Sequence, residues 1–234
     1  MCAQIASQYI DTLIDFQTSP NPLLDDPTNV QYYFSSSLNL LNFCTTSPDV
    51  AIRIARHPRL LYSVVEKMLQ PEFETNMKAV DRSGPPGFQP SGFDEDFGSI
   101  IQFVSTIILY SEEIPTLHPR LNDLVPKLQK WKRDYRKSHI RTIGNASERL
   151  VEQIRGMPPG LKDAMHQMQR ASVVCGVVEC GKSAANSTLT ACAKCRIQRY
   201  CGQEHQKKDW KYHKHICCKG LVDVEGGSAQ VSAA

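Results

Sequence analysis

Cysteine and histidine residues are concentrated in one short segment near the C-terminus of this 234-residue chain. Six of its nine cysteines and two of its seven histidines form four closely spaced pairs there. The pairs are Cys175/Cys180, Cys192/Cys195, Cys201/His205 and His213/Cys217. Thiolates and imidazoles are the ligands that zinc prefers, and eight of them suffice for two tetrahedral ions. The pattern therefore predicts two Zn2+ ions, each closed by three cysteines and one histidine.

The spacing within each pair suits a metal site. Two residues separate Cys192 from Cys195, so a tight turn can present both sulfurs to one ion, and Cys175/Cys180 is a longer version. The other two pairs are each four residues apart in proline-free segments, residues 202–208 and 209–219, so we expect each pair on one helix face. Neither half of the segment could bury a core of its own. Metal binding is therefore expected to fold it.

Residues around the ligands extend the motif. It runs Tyr200-Cys201-x3-His205-Gln206-x2-Asp209-Trp210-x2-His213-Lys214-x2-Cys217. This pattern resembles the MYND-type zinc finger, C-x2-4-C, C-x2-C, YC-x3-C/H-Q, W-x2-H-K-x2/3-C, over about a fifth of the chain. The resemblance implies a cross-braced fold, in which one ion is held by Cys175, Cys180, Cys201 and His205 and the other by Cys192, Cys195, His213 and Cys217. The sequence departs from the pattern at the first pair, which has four intervening residues, and at His205, where cysteine is more usual.

The last two ligands have an alternative. His215 and Cys218 are three residues apart and could replace His213 and Cys217 after a slip of one or two residues. We favour His213 and Cys217 because Trp210 precedes them at the spacing of the family pattern. On this assignment Cys218 is a spare thiol, and His215 points away from the metal.

The N-terminal residues favour metal binding over disulfide formation. Met1 to Gln4 contain no basic residue, and Asp11 and Asp15 interrupt the apolar run, so we expect no signal peptide. Reduced thiols would place the protein in the cytoplasm or the nucleus. The best candidate for a membrane span, residues 100–110, falls short of the ~18 apolar residues required, so we expect a core helix there.

Elements that must position the finger precede it. Apolar residues recur at three- and four-residue intervals from Ile5 to Ile14 and from Tyr32 to Phe43, which predicts amphipathic helices. Start and stop signals predict further helices at residues 48–56, 60–69, 93–110, 119–137, 145–154 and 161–170. The fold class is therefore mainly α, with a helical body over residues 1–170. The helix pattern over residues 28–70 resembles armadillo or HEAT-type repeats, although an irregular bundle fits it equally well.

Three other segments complete the domain organisation. Residues 71–92 contain clustered prolines and glycines, which predict a long loop. Residues 171–219 are the predicted finger. Residues 220–234 are rich in small residues and are expected to be a disordered tail.

Charge is divided unevenly along the chain. Residues 1–126 carry a net charge of −8 and residues 127–220 one of +13. Seven basic residues form a run on and just after the predicted helix 119–137: Lys127, Lys130, Lys132, Arg133, Arg136, Lys137 and Arg141. We interpret this run as a solvated helix face, and the division as an acidic body that docks a basic finger. The alternative is a nucleic-acid or chromatin-binding factor that uses the basic half.

No catalytic motif accompanies the finger. The sequence has no phosphate-binding loop, no G-x-S-x-G elbow and no β-rich core of the kind that surrounds this finger in SET-domain methyltransferases. The other histidines, His57, His118, His139 and His166, lie in contexts typical of helix ends or polar faces, and we expect them to be solvated. We therefore expect the protein not to be an enzyme.

The leading hypothesis for function is a zinc-binding interaction adaptor. The resemblance to MYND fingers implies binding of short, often proline-containing peptides of partner proteins, and it allows roles in transcriptional or ubiquitin-pathway regulation. The candidate surface is Gln203, Gln206, Trp210 and the flanking lysines, which would suit a peptide with acidic flanks. Trp210 could instead form the small core of the finger, and we favour that interpretation slightly.

Overall fold

Helices form almost all of the regular structure before the cysteine-rich segment. A computed structural model describes residues 2–20, 26, 35–45, 47–57, 59–79, 92–111, 118–138, 141–157 and 159–217. Within these ranges the strands are confined to one two-stranded sheet near the C-terminus. The predicted fold class, a mainly α body followed by a finger, is confirmed. No helix in the described ranges is both long and apolar enough to span a bilayer.

Nine helices of the described residues precede the finger. They are α1 (Cys2–Thr18), α2 (Ser35–Cys44), α3 (Pro48–Ala55), α4 (Leu60–Leu69), α5 (Phe73–Ala79), α6 (Phe93–Tyr110), α7 (Leu124–Asp134), α8 (Thr142–Arg155) and α9 (Leu161–Ser172). A 3-10 turn, Leu121–Asp123, leads into α7. The predicted bounds of α4 and α6 are confirmed. Tyr32 and Tyr33, predicted to begin a helix, lie outside the described residues.

The central helix of the body is α6. Seven of its apolar side chains are at most 1% exposed: Phe97, Ile100, Ile101, Phe103, Val104, Ile107 and Ile108. A helix that is apolar on most sides is stable only when other helices surround it, and α2, α3 and α8 pack against α6. Gly98 allows the close approach of α8, because a Cβ atom there would lie 2.5 Å from Thr142 Cγ2.

The predicted loop over residues 71–92 is wrong in its first part. Residues Phe73–Ala79 form α5, and Phe73 and Met77 are fully buried. Apolar residues four apart lie on one helix face, which here faces the core. Residues 80–91, which hold most of the prolines and glycines, lie outside the described residues.

A carboxylate on α5 joins that helix to α7. Glu74 Oε1 accepts hydrogen bonds from Lys78 Nζ and from Tyr135 OH, both at 2.8 Å. Its Oε2 accepts from Trp131 Nε1 at 2.9 Å and from Lys130 Nζ at 3.2 Å. Burial alone would raise the pKa of Glu74, but these four donors outweigh it and lower the pKa to about 2. The carboxylate therefore remains ionised in the folded protein.

Lys127 on α7 caps the C-terminal end of α4. Its Nζ donates to the backbone oxygens of Met68, Leu69 and Gln70 at 3.0, 2.8 and 2.5 Å. The last carbonyls of a helix lack partners within the helix, and a lysine side chain can supply the missing donors. Burial lowers the pKa of Lys127.

Contacts at α9 and at Ile197 join the finger to the body. Lys162 Nζ donates to Ser111 O at 2.8 Å, and His166 Nε2 lies 3.2 Å from Leu109 O, so α9 is held at the end of α6. Ile197 is half-buried and packs against both the body core and the finger core. The two cores are therefore linked by an apolar contact as well as by the chain.

Candidate metal centre

Short elements place the cysteines and histidines of the finger. Val174 and Ser183 form a β-bridge, Val178–Cys180 is a 3-10 turn, and strands β1 (Thr190–Ala191) and β2 (Arg199–Tyr200) pair antiparallel. One helix follows, α10 (Gln203–His213). Arg196, immediately after Cys195, has a φ of 54°, and its N–H donates to Cys192 O at 2.8 Å. This left-handed residue closes the turn that brings the sulfurs of Cys192 and Cys195 to one side.

Four ligand-type side chains meet at the first of two clusters. Its members are Cys175, Cys180, Cys201 and His205. Cys180 Sγ and Cys201 Sγ are 3.6 Å apart. His205 Nδ1 lies 3.4 Å from Cys175 Sγ and 3.3 Å from Cys201 Sγ.

The second cluster is more deeply buried. Its members are Cys192, Cys195, His213 and Cys217. Cys192 Sγ lies 3.8 Å from Cys217 Sγ, and Cys195 Sγ lies 3.5 Å from His213 Nε2. The two histidines thus face their clusters with different ring nitrogens, Nδ1 in His205 and Nε2 in His213. The memberships are those of the cross-braced arrangement that the family resemblance implies.

The distances within both clusters fit a tetrahedral zinc ion. With Zn–S bonds of about 2.3 Å and Zn–N bonds of about 2.0–2.1 Å, a tetrahedron separates two sulfurs by about 3.8 Å and a sulfur from a nitrogen by about 3.5 Å. The sulfur pairs here are 3.6 and 3.8 Å apart, and the sulfur–nitrogen pairs 3.3 to 3.5 Å. Disulfide bonds would require sulfurs about 2.05 Å apart. None of the six cysteines in the two clusters forms a disulfide.

Thiol acidity in the clusters reflects the donors around each sulfur. Burial raises the pKa of Cys175 and Cys192, but backbone hydrogen bonds outweigh it and lower both values. A backbone hydrogen bond from Lys182 lowers the pKa of Cys180. Burial and the neighbouring thiols raise the pKa of Cys201. The same causes raise the pKa of Cys217 to about 12. A divalent cation would stabilise three thiolates in one cluster, because its positive charge offsets theirs.

The placement of the last two pairs corrects one prediction. Each pair was expected on one helix face, but Cys201 precedes α10 and Cys217 follows it. A four-residue spacing brings two ligands together either across one helical turn or across a helix end, and the structure uses helix ends. His215 is exposed, as the favoured assignment requires. Cys218 lies outside the described residues.

Tyr200, not Trp210, forms the aromatic core of the finger. Tyr200 is 1% exposed and its OH donates to Asp209 Oδ2 at 2.7 Å. Burial and the Asp209 carboxylate raise the pKa of Tyr200. Trp210 is 42% exposed and packs edge-on against His213, so the preferred interpretation of Trp210 as core is wrong.

Gly176 is required by this packing, and sequence reasoning missed it. A Cβ atom at this position would lie 2.5 Å from Gln198 Nε2, 2.7 Å from Tyr200 Cε1 and 3.1 Å from Asp209 Oδ2. Its N–H donates to Arg199 O at 2.8 Å. Glycine directly after the first ligand was the available signal, but only the folded packing shows why it is needed.

Other candidate residues have structural partners. His118, expected to be solvated, is 3% exposed; its Nδ1 accepts from the Arg120 N–H at 3.0 Å and its Nε2 lies 3.1 Å from Glu66 Oε1. In the basic run, Lys127 and Lys130 have the partners given above, and Lys132 pairs with Glu148 at 2.5 Å. His139 lies outside the described residues.

Comparisons with known proteins agree with this geometry. The profile of the MYND finger family matches residues 175–217. Egl nine homolog 1 of Mus musculus is 36% identical over 62 residues, which are 26% of this chain and 14% of that protein. Egl nine homolog 1 of Homo sapiens is 47% identical over 38 residues, 16% of this chain and 8% of that protein. The chain thus spans about a seventh or less of these curated relatives, and no solved structure gave a significant match. Residues 175–217, with their two Cys/His clusters, are a MYND finger, a zinc-binding domain.

Proposed function

We propose that the protein is a zinc-dependent interaction adaptor whose finger holds two ions. The proposed ligands are Cys175, Cys180, Cys201 and His205 for one ion, and Cys192, Cys195, His213 and Cys217 for the other. Each ion would have four protein ligands, so neither would keep the open position that catalysis at zinc requires. The role of the metal is therefore to fold the finger and not to bind a substrate.

Metal content tests this assignment directly. Native mass spectrometry of the metal-replete chain is expected to show two zinc ions, and one ion each for His205→Ala and Cys192→Ala. His215→Ala is the matched control, because His215 is exposed and outside both clusters. Loss of an ion in that control, or one ion in the unchanged protein, would contradict the assignment.

The exposed side chain of Trp210 is the observation that carries the interaction role. Its helix, α10, places Lys207, Gln206 and Gln203 on the same face, three, four and seven residues before Trp210. Buried tryptophans stabilise small domains, whereas a Trp210 that is 42% exposed offers an aromatic surface to a partner. Proline-containing peptides pack on such surfaces at low entropic cost, and Lys207 would favour an acidic flank.

The basic run supports this role over nucleic-acid binding. Lys127, Lys130 and Lys132 hold internal partners, and Trp131 is 2% exposed, so it offers no stacking surface. The described part of the run that faces solvent without an internal partner is Arg133, Arg136, Lys137 and Arg141. Of these, Arg133 lies in the last turn of α7, where a cation complements the helix dipole.

Peptide binding is best tested with one pair of substitutions on α10. An arrayed library of short proline-containing peptides should yield ligands whose affinity falls at least about tenfold in Trp210→Ala. Tyr212→Ala is the control, because Tyr212 is 66% exposed and lies on the opposite side of α10. Equal loss in both variants, or no ligand at all, would argue against the proposed surface.

Salt dependence separates the two functional classes. Binding of a duplex DNA probe should weaken steeply as salt rises, with a slope set by the phosphates neutralised, whereas docking on Trp210 should change little. Tight DNA binding that Trp210→Ala leaves intact would favour the nucleic-acid hypothesis.

A further inference from the structure

Helix α10 carries one candidate ligand of each metal cluster. His205 belongs to the first cluster and His213 to the second, and the two lie eight residues, or about 12 Å, apart along the helix. Asp209 is half-buried and stands midway between them, so the three side chains share one helix face at spacings of four residues. Because a helix of this length moves as a unit, a shift of α10 changes the position of both histidines.

The Asp209 carboxylate is joined to Tyr200, which adjoins both clusters. Tyr200 OH donates to Asp209 Oδ2 at 2.7 Å. Along the chain, Tyr200 immediately precedes Cys201 of the first cluster. In space, its ring meets the ring of His213 of the second cluster edge-on, with centroids 6.1 Å apart. One hydrogen bond therefore connects α10 to a buried side chain that is next to a ligand of each cluster.

The ring of His213 is held by packing contacts and not by a hydrogen bond on its outer nitrogen. Its Nε2 lies near Cys195 Sγ, whereas its Nδ1 is buried and has no hydrogen-bond partner among the described residues. Histidines that bind zinc usually donate their second ring nitrogen to a carboxylate or a carbonyl, which fixes the ring. Here Tyr200 and Trp210 both meet the ring edge-on. The orientation of His213 therefore depends on where Tyr200 is held.

The first cluster packs against the same two side chains. Gly176 directly follows Cys175, and a Cβ atom at Gly176 would lie 2.7 Å from Tyr200 Cε1 and 3.1 Å from Asp209 Oδ2. The Gly176 N–H donates to Arg199 O at 2.8 Å, which ties the turn to strand β2. An ion that closes the first cluster would fix this turn, and with it Tyr200 and Asp209.

We propose that Tyr200 and Asp209 couple the two metal sites, so that an ion in one cluster raises the affinity of the other cluster for zinc. The proposal rests on the two-ion assignment made above. Coupling of this kind is reciprocal and typically changes an affinity by roughly 5- to 150-fold. We expect about tenfold, because the link consists of one buried hydrogen bond and one ring contact. A tenfold loss leaves the remaining cluster occupied in metal-replete solution, because structural zinc sites bind far more tightly than that.

A cycle of substitutions in the full-length chain measures the coupling. Cys180→Ala disables the first cluster without changing α10, because Cys180 lies in the 3-10 turn. Zinc in the second cluster is followed by alkylation of Cys195 with N-ethylmaleimide, read by peptide mass spectrometry over a series of chelator concentrations. Cys180→Ala should lower the affinity of the second cluster about tenfold in the otherwise unchanged chain. In a Tyr200→Phe background it should lower that affinity about threefold or less, because phenylalanine keeps the ring and removes the donor to Asp209.

Two further sets of variants control for the substitution itself. Tyr212→Phe removes the same atom from a tyrosine that is 66% exposed and outside both clusters, so the tenfold effect should persist. Asp209→Ala breaks the same hydrogen bond from the side of α10 and should reduce the coupling as Tyr200→Phe does. Asp209→Asn retains an acceptor oxygen for Tyr200 OH and should keep most of it. The Asp209 variants decide the question if Tyr200→Phe fails to bind zinc.

A tyrosine that only stabilises the finger would give a different result. Tyr200→Phe would then weaken zinc binding in both clusters, while Cys180→Ala would still cost tenfold in that background, and the proposal would be overturned. It is also overturned if Cys180→Ala leaves the second cluster of the otherwise unchanged chain unaffected, because the sites are then independent. One ion in the unchanged chain would contradict the two-ion assignment itself, which separates failure of that assignment from failure of the coupling.

Discussion

Replacing Glu74 by glutamine should destabilise the body far more than its position near the surface suggests. Glutamine keeps the size and one acceptor oxygen of Glu74 but removes the charge that four donors share. The pKa of Glu74 falls from 4.5 to about 2 on folding, roughly 2.5 units, and each unit is worth about 1.36 kcal/mol. The carboxylate therefore contributes at most about 3.4 kcal/mol at neutral pH. The side chain is 18% exposed, so we expect a loss of about 2–3 kcal/mol.

The pH dependence of this effect has a definite sign. Because folding lowers the pKa of Glu74, its contribution is complete above about pH 4.5 and is lost as pH falls towards 2. The difference in unfolding free energy between the unchanged protein and Glu74→Gln should therefore shrink over that range. Both proteins carry the same finger, so acid release of zinc affects them equally.

Urea unfolding monitored by tryptophan fluorescence measures the difference. In a Trp210→Phe background the signal comes from Trp131, which is buried and donates to Glu74. The control is Asp134→Asn, the same chemical change in a carboxylate that is 44% exposed and pairs with Lys130 at 2.6 Å; it should cost less than about 0.5 kcal/mol. If Glu74→Gln costs no more than Asp134→Asn, the four-donor account of Glu74 is wrong.

Two further substitutions probe the finger and the α4 cap. Gly176→Ala should make zinc loss to a chelator at least about tenfold faster, because the added Cβ would lie 2.7 Å from Cε1 of the buried Tyr200 ring, while Gly202→Ala, with no atom within 4 Å, should not. An equal rate for both would show that the packing at Gly176 can relax. Lys127→Met should cost about 1–3 kcal/mol in urea unfolding because three carbonyls lose their donor, against less than about 0.5 kcal/mol for Lys132→Met, whose partner Glu148 is exposed. Similar values for the two lysines would refute the capping role.

Local spacing predicted the four ligand pairs because zinc ligands in such fingers occur in short pairs, whereas the grouping of the pairs into two clusters was implied by the family resemblance. The turn between Cys192 and Cys195 is fixed by residues within five positions, so the chain alone specifies it. The position of α10 was predicted less well. A spacing of four residues is compatible with either a helical turn or a helix end, and it could not place Cys201 and Cys217 outside the helix.

Interactions between distant residues were beyond the sequence. Glu74 and Tyr135 are 61 residues apart, so the sequence around Glu74 does not indicate that four donors bind its carboxylate. Helix α5 was not predicted, because the prolines and glycines that follow it dominate the composition of residues 71–92. Trp210 and Tyr200 are both plausible core aromatics by type, and only the tertiary packing distinguishes them.

Ile197 affects how the finger would behave as a fragment separated from the helical body. Its side chain is covered on one side by the finger and on the other by the helices of the body. A fragment cut before residue 173 would keep both metal clusters but would expose the side of Ile197 that the body covers. Such a fragment would expose apolar surface that the intact chain covers, and ligands selected on the fragment could bind there. Excision of the finger would therefore expose an apolar surface at Ile197 that the intact protein buries.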